Sequence, residues 1–415
     1  MTTAEQLESP ARHSCGPAAT TPLTFRLVSD EQELTALAPS WRHLLEQSAS
    51  AEPMLSPDWL LTWWDVYSRN SDRSLRVGLL YQGEQLVALA PLCRRRYWYR
   101  PGIPFNRLEF LGSDTDEQDG VCSVYLDFVA RAGLEQPAAE AFAREIVRGG
   151  FDRWDEVVLG ALNGAAGAPE RLLEAFRLAG CPGEQQTTTE SPYLRLPANW
   201  DEYLKSLNKK KRKYFVQAMR SFESWAGTDW KVEHARTPEE YTRGRQILLN
   251  LHGQRWEKDD STGGAFARPR FCAFHDAYMA RLFQQGNLDL CWLSVRGVPI
   301  MVNYHIVTNG KVYFYQCGRS LDVPEAQRPG IVLLSFALQK AMADGLREYD
   351  FLPAPLAYKL KFTQTTRPLV QVRVVHDGPR EWLRRSIEFG ITGARKLRDA
   401  YRRRRAPVIS PESAD

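Results

Sequence analysis

The chain has 415 residues, more than one ordinary hydrophobic core holds, so two units of similar size are expected. Hydrophobic residues make up 43% and charged residues 25%, the balance of a globular protein rather than a membrane-spanning or low-complexity one. The net charge of +4 is too small to argue for nucleic acid, and no DNA partner is expected, because the surplus sits mainly in two local runs, 209–213 and 402–405.

Seven cysteines lie scattered, without a C-x-x-C pair or a close Cys/His cluster. This argues against a disulfide framework and against a metal motif. No charged-then-apolar leader follows Met1 and no apolar run is long enough to cross a bilayer, so a reducing cytoplasm is expected. Residues 1–22, rich in Ser, Thr, Pro and Ala, read as a disordered tail.

In chain order, Ser56-Pro57-Asp58-Trp59 opens a helix: Ser56 suits the N-cap, Pro57 the first helical position, and Trp59, Leu60, Trp63 and Trp64 share one face. Residues 75–80 and 86–92 are apolar strands around a turn at Gly83. A helix over 136–148 and a strand ending 153–159 follow, then a linker strand at 192–197. The segment 200–225 reads as one basic helix, and 241–256 as another carrying His252, Arg255 and Trp256. Residues 288–295 and 299–306 repeat the strand–Gly–strand pattern around Gly297, with Asn309-Gly310 supplying a further type I′ hairpin turn. A strand over 311–318, a polar loop, a helix over 330–344 ended by Gly345, and a strand over 346–352 complete the second series. The same element order appears twice, which predicts an α/β protein built as a tandem of two related units. The expected division is 23–195 and 196–380, followed by a basic amphipathic tail over 381–415 that would pack on the second unit or lie on an anionic membrane.

The loop Gln327-Arg328-Pro329-Gly330-Ile331-Val332 feeds a helix after a strand, and a helix start with free N–H groups favours an anion such as a phosphate. It resembles the Q/R-x-x-G-x-G/A loop by which GNAT acyltransferases hold the pyrophosphate of coenzyme A, with Val332 in place of the usual small residue. The run from Gly345 through Asp350-Phe351-Leu352 to Tyr358-Lys359, together with Ser56-Pro57-Asp58-Trp59, Trp63-Trp64 and His252-x-x-Arg255-Trp256, is similar to GNAT acetyltransferases of the CelD/BcsL type. That family is associated with cellulose and other exopolysaccharide synthesis and is related to the Fem-type peptidoglycan aminoacyltransferases. The similarity extends over about 23–375.

The resemblance implies two GNAT-like units, with acetyl-CoA or another acyl-CoA as co-substrate of the second. It places Gln327, Arg328, Gly330, Ile331 and Val332 on the cofactor, with Arg319 as a further cation. It puts Lys359 against the acyl carbonyl, where an ammonium would stabilise the oxyanion of the tetrahedral intermediate; otherwise Lys359 is a solvated charge at an edge strand. Asp350 is the candidate base for the acceptor, or else a cap or arginine partner. Tyr315, on the same strand face as Tyr313, is the candidate acid for the leaving thiolate, or a packing residue. His252 is a weaker catalytic candidate. The acceptor is expected to be an amine or hydroxyl of a sugar, polysaccharide or cell-envelope precursor. The alternatives are a Fem-like transferase using aminoacyl-tRNA, with the basic run 208–213 on the RNA, and a non-catalytic accessory protein of polysaccharide synthesis.

Overall fold

The computed structural model describes residues 22–69, 71–100, 103–113, 119–259, 264–353 and 358–387. The first half begins with β1 (Leu23–Val28), α1 (Glu31–Ala36), α2 (Ala38–Glu46) and α3 (Pro57–Tyr67). A bent hairpin follows, made of β2 (Arg73–Leu75), β3 (Val77–Gln82), β4 (Gln85–Ala90) and β5 (Leu92–Arg100). Then come β6 (Ile103–Phe110), β7 (Val129–Ala130), α4 (Glu135–Arg148), β8 (Glu156–Asn163), α5 (Ala168–Leu178) and β9 (Gly183–Arg195). The second half runs α6 (Trp200–Ser206), α7 (Lys209–Ala226), β10 (Trp230–His234), α8 (Pro238–Asp259) and α9 (Pro269–Gln284). It continues with β11 (Leu288–Val295), β12 (Val298–Thr308), β13 (Lys311–Arg319), α10 (Pro329–Ala343), β14 (Glu348–Asp350), α11 (Lys359–Phe362) and β15 (Thr366–Val375).

Local chemistry explains the element ends. Ser56 Oγ accepts the Trp59 amide at 3.2 Å and caps α3, whose tryptophans are buried. Asn309 and Gly310 both take positive φ, 52° and 73°, as a type I′ turn requires. Gly345 closes α10 in the left-handed region at φ 71°. Pro91 separates β4 from β5; it has no N–H for a ladder, and the hairpin's two arms enter different sheets there.

The tandem is visible in the pairing. β1–β3, β3–β4, β2–β5 and β5–β6 are antiparallel and β6–β8 is parallel, with α4 in the crossover. The second half repeats this: β10–β11, β11–β12 and β12–β13 are antiparallel and β13–β14 is parallel, with α10 in the crossover. The last strand of each half then sits beside the other half. β9 pairs with β14, β15 pairs with β8, and β9 and β15 pair with each other, giving one sheet in the order β10-β11-β12-β13-β14-β9-β15-β8-β6-β5-β2.

Two expectations change. The basic segment 200–225 is two helices, because Asn208 Oδ1 accepts the Lys211 amide at 2.9 Å and starts α7 afresh. Arg212 closes the end of α6 by donating to the carbonyls of Leu204, Lys205 and Leu207. The strand expected over 346–352 is only Glu348–Asp350, since Leu352 takes φ 56° and leaves the ladder. Of the tail, residues 379–387 are helical and the remainder lies outside the described residues. Glu381 anchors this helix by accepting from Arg373, Arg384 and Arg385.

Candidate active site

β13 and β14 pair only where Lys311–Tyr313 meet Glu348–Asp350. Beyond that point they part. A register shift between Tyr304 and His305 leaves Tyr315 as an extra residue on β13, a β-bulge that turns Cys317 toward the α10 side. Lys359 lies in the opening, at the start of α11. It is 3% exposed, and its Nζ donates to the carbonyls of Phe351 at 2.5 Å and Leu352 at 2.8 Å. Burial lowers its pKa from 10.5 to about 8, against the opposing pull of Cys317, Cys122 and Asp350. At neutral pH it is an ammonium held by fixed dipoles, not a solvated charge on an edge strand.

Asp350 is fully buried behind it. Its carboxylate accepts from Tyr125 Oη at 2.6 Å, Ser191 Oγ at 3.2 Å and the Leu352 amide at 2.8 Å. Arg367 lies 3.9 Å away and covers the Tyr193 ring at 3.7 Å. Burial raises the Asp350 pKa above its ordinary value, with Arg367 and the hydrogen bonds from Tyr125 and the Leu352 amide opposing. With its lone pairs taken up, Asp350 orders the groups behind Lys359 and has no open face for an acceptor.

The first half completes this site. Residues 119–126 cross the opening, and two of them, Cys122 at φ 52° and Tyr125 at φ 58°, are strained non-glycine positions. With Leu352 they gather backbone strain around one lysine. The crossing segment is tied on both sides: Trp59 Nε1 donates to Ser123 Oγ at 2.9 Å, and Arg270 pairs with Asp119 at 2.7 Å. Tyr315 Oη donates to the Val121 carbonyl and lies 3.1 Å from His275 Nε2. Burial lowers the His275 pKa to about 3, so this imidazole is neutral. The Tyr315 hydroxyl hydrogen is therefore engaged in holding the crossing segment. Tyr313 faces the same way and donates to Glu52, which also accepts Lys311 at 2.8 Å.

At the start of α10, Arg328 is the N-cap at φ 49°, and its guanidinium covers the Tyr214 ring of α7 at 4.5 Å. Gln327 accepts Ser221 Oγ at 3.1 Å. A Cβ on Gly330 would meet only Met301 Cε, at 3.5 Å, so the protein itself leaves this backbone approachable. Ile331 and Val332 point into the core. Their amides donate to the Arg328 carbonyl at 2.9 and 3.2 Å, so contrary to expectation Ile331 and Val332 close the first turn, and the approachable amide is that of Gly330. Arg319 is partly neutralised by Glu325 at 3.3 Å.

The other candidates lie elsewhere. His252 is buried on α8, edge-on to Phe266 at 5.0 Å, with its backbone against Gly318. The side chains of Arg255 and Trp256 lie outside the described residues. A cavity of about 280 Å³ does lie between the halves, lined among others by Arg42, Asp58, Tyr278 and Asn309; it touches the site through Glu52 but not through Lys359, Asp350 or Tyr125. Tyr125, Ser191, Arg367 and Glu52 carry no sequence signal, since only the crossing of the two halves brings them together.

Residues 209–360 match the family model of an acetyltransferase (GNAT) domain, a span that holds α7, α10 and Lys359. The fold is similar to the crystal structure of FemX, at 11% identity and TM-score 0.54, covering 87% of this chain and 99% of that one. It is also similar to a conserved protein of unknown function from Bacteroides thetaiotaomicron, at 12% identity and TM-score 0.51, covering 86% of this chain and 100% of the other. No curated protein matches the sequence significantly. No helix among the described residues is long and apolar enough to cross a membrane.

Proposed function

We propose that this acyltransferase, a tandem of two GNAT-like units, takes its acyl group from acyl-coenzyme A and uses Lys359 as its catalytic cation. The buried ammonium in the opening between β13 and β14 carries the reading. The donor pyrophosphate would lie at the start of α10 by the Gly330 amide, next to Arg328. The α10 segment 328–343 contains no acidic residue, whereas the matching helix α4 of the first half opens with Glu135 and lacks that anion preference. The division would lie near residue 195, with the acyl-coenzyme A site in 196–380 and the first half supporting it through Tyr125 and Ser191.

In the reaction an acceptor nitrogen or oxygen attacks the thioester carbonyl, and the C=O electron pair moves onto oxygen. The Lys359 ammonium stabilises that oxyanion, a term worth about 3 kcal/mol. The C–S bond then breaks, and the acceptor's proton ends on the coenzyme A thiolate. Asp350 and Tyr315 are positioning residues, one through Tyr125 and Arg367, the other through the crossing segment. An acceptor from a sugar, polysaccharide or cell-envelope precursor fits the CelD/BcsL resemblance.

A second reading is an aminoacyl-tRNA donor, and the basic start of α7 favours it. Lys211 of that run donates to the Leu360 carbonyl at 2.9 Å, next to Lys359, while Lys209, Lys210 and Lys213 remain exposed. Native mass spectrometry of the full chain with a panel of acyl-coenzyme A thioesters tests the first reading. A saturable one-to-one adduct supports it; no adduct, with saturable binding of charged tRNA, replaces it by the second.

A further inference from the structure

A separate cluster of metal-ligating side chains lies on the α10 side of the second half's sheet. His234 ends β10 directly opposite Cys291 of β11, and Asp289 stands two residues before Cys291 on the same face. Asp289 is in turn opposite His305 of β12. Its two oxygens lie 2.7 Å from His234 Nδ1 and 2.9 Å from His305 Nδ1, and His305 Nε2 lies 2.7 Å from the Tyr349 hydroxyl. One ligand atom each of His234, Asp289 and Cys291 fall within 4.8 Å of one another. The cluster borders a cavity of about 300 Å³ whose wall includes His234, Asp289, Lys340 and Asp344. His234 and Asp289 are partly exposed, so an ion has a route in.

We propose that His234, Asp289 and Cys291 form a binding site for a thiophilic divalent cation of the zinc class. An imidazole, a carboxylate and a thiolate are the donors such an ion selects, and ligand distances of about 2.0–2.3 Å place its centre within the observed triangle after small rotamer shifts. His305, fixed by Tyr349, would hold Asp289 from behind, the usual way a ligating group is oriented. The opposing charges on the cavity wall are Arg236, which is exposed, and Lys340, whose ammonium is paired with Asp344 one helical turn on. On binding, Cys291 gives up its S–H proton and forms an S–metal bond. The hydrogen between His234 Nδ1 and Asp289 yields to the ion as the imidazole shifts to its Nε2–H tautomer. One proton is released in sum, and no electron is transferred. A water from the cavity would complete a tetrahedron.

Chelator-dialysed full-length protein is titrated with Co²⁺, whose thiolate ligation gives a near-ultraviolet charge-transfer band. The expected result is one equivalent bound with that band, displaced by Zn²⁺. Cys291→Ser removes the band, and His234→Ala, at the partly exposed rim, weakens Co²⁺ binding about tenfold or more with an unchanged circular dichroism spectrum. Absence of the band in the unaltered chain, or a band surviving both substitutions and so arising from other cysteines, overturns the site. Acyl-coenzyme A binding, followed by calorimetry on the same samples, reports on the acyltransferase site separately.

Discussion

Replacing Lys359 with Met is expected to leave acyl-coenzyme A affinity within about twofold and to slow transfer on the order of a hundredfold or more. The ground-state thioester carbonyl gains little from the ammonium, and the oxyanion gains much. The pKa drop from 10.5 to about 8 corresponds to roughly 3 kcal/mol by which the fold disfavours the charge. Because the folded value lies below the unfolded one, the unfolded chain binds more protons between about pH 8 and 10.5. Stability therefore rises with pH across that window, and the cost of the buried charge is fully present below it. A lysine of pKa about 8 is roughly nine-tenths protonated at pH 7 and one-tenth at pH 9. The rate advantage of the unaltered protein over Lys359→Met should thus shrink about tenfold between those pH values. Taking the ratio cancels the acceptor's own titration. The assay is single-turnover release of free thiol at saturating acyl-coenzyme A with an acceptor that supports turnover, beside a binding titration. A full-rate variant, or a loss lying wholly in donor affinity, refutes the oxyanion role.

Three further outcomes are expected. Gly330→Asp should fold normally, since its Cβ meets only Met301 at 3.5 Å, yet lose acyl-coenzyme A affinity about tenfold or more by repelling the pyrophosphate; unchanged calorimetry would move the donor elsewhere. Tyr125→Phe takes the shortest hydrogen bond from buried Asp350 and should cost about 1–3 kcal/mol in urea unfolding, with strict additivity to Asp350→Asn counting against their coupling. Glu381→Ala takes one carboxylate partner from Arg373, which Glu156 still holds, and should speed amide exchange over 379–387. Burial opposes the ionisation of Glu381, but Arg384, Arg373 and Arg385 bring its pKa down to about 2. Its contribution should therefore be complete above about pH 4.5 and lost as pH falls toward 2; unaltered protection in the variant would deny the anchor.

The repeat was legible because hairpins and capped helices leave local marks: Gly83, Gly297, Asn309-Gly310, Ser56 and Gly345 all stand where turn or cap chemistry needs them. The break at Asn208 is equally local: Asn before a basic run is a strong N-cap, and it outweighs the helical periodicity that continues across it. The repeat does not fix the surroundings of its carboxylates. Asp155 precedes β8 and holds Asn106 and Arg380, whereas Asp350 closes β14 inside the site. A motif marks Lys359 but not its burial, because the carbonyls that hold it depend on the left-handed turn at Leu352. Nothing local announces Tyr125, 225 residues before the carboxylate it serves, or the approach of His234 to Asp289, 55 residues away. Such contacts are products of the sheet order.

The exchange of final strands also governs how the chain matures during synthesis. β8 and β9 are complete by residue 195, yet the slot between them is filled by β15, which ends at Val375. A nascent first half must therefore leave the ribosome with two strand edges open, and these edges can close only when β15 has emerged. Translation pauses within the second half would prolong that exposure and favour capture by a second nascent copy, whose own β15 fits the same slot. Expression yield should accordingly depend on chaperones that shield strand edges, more than on the intrinsic stability of either half.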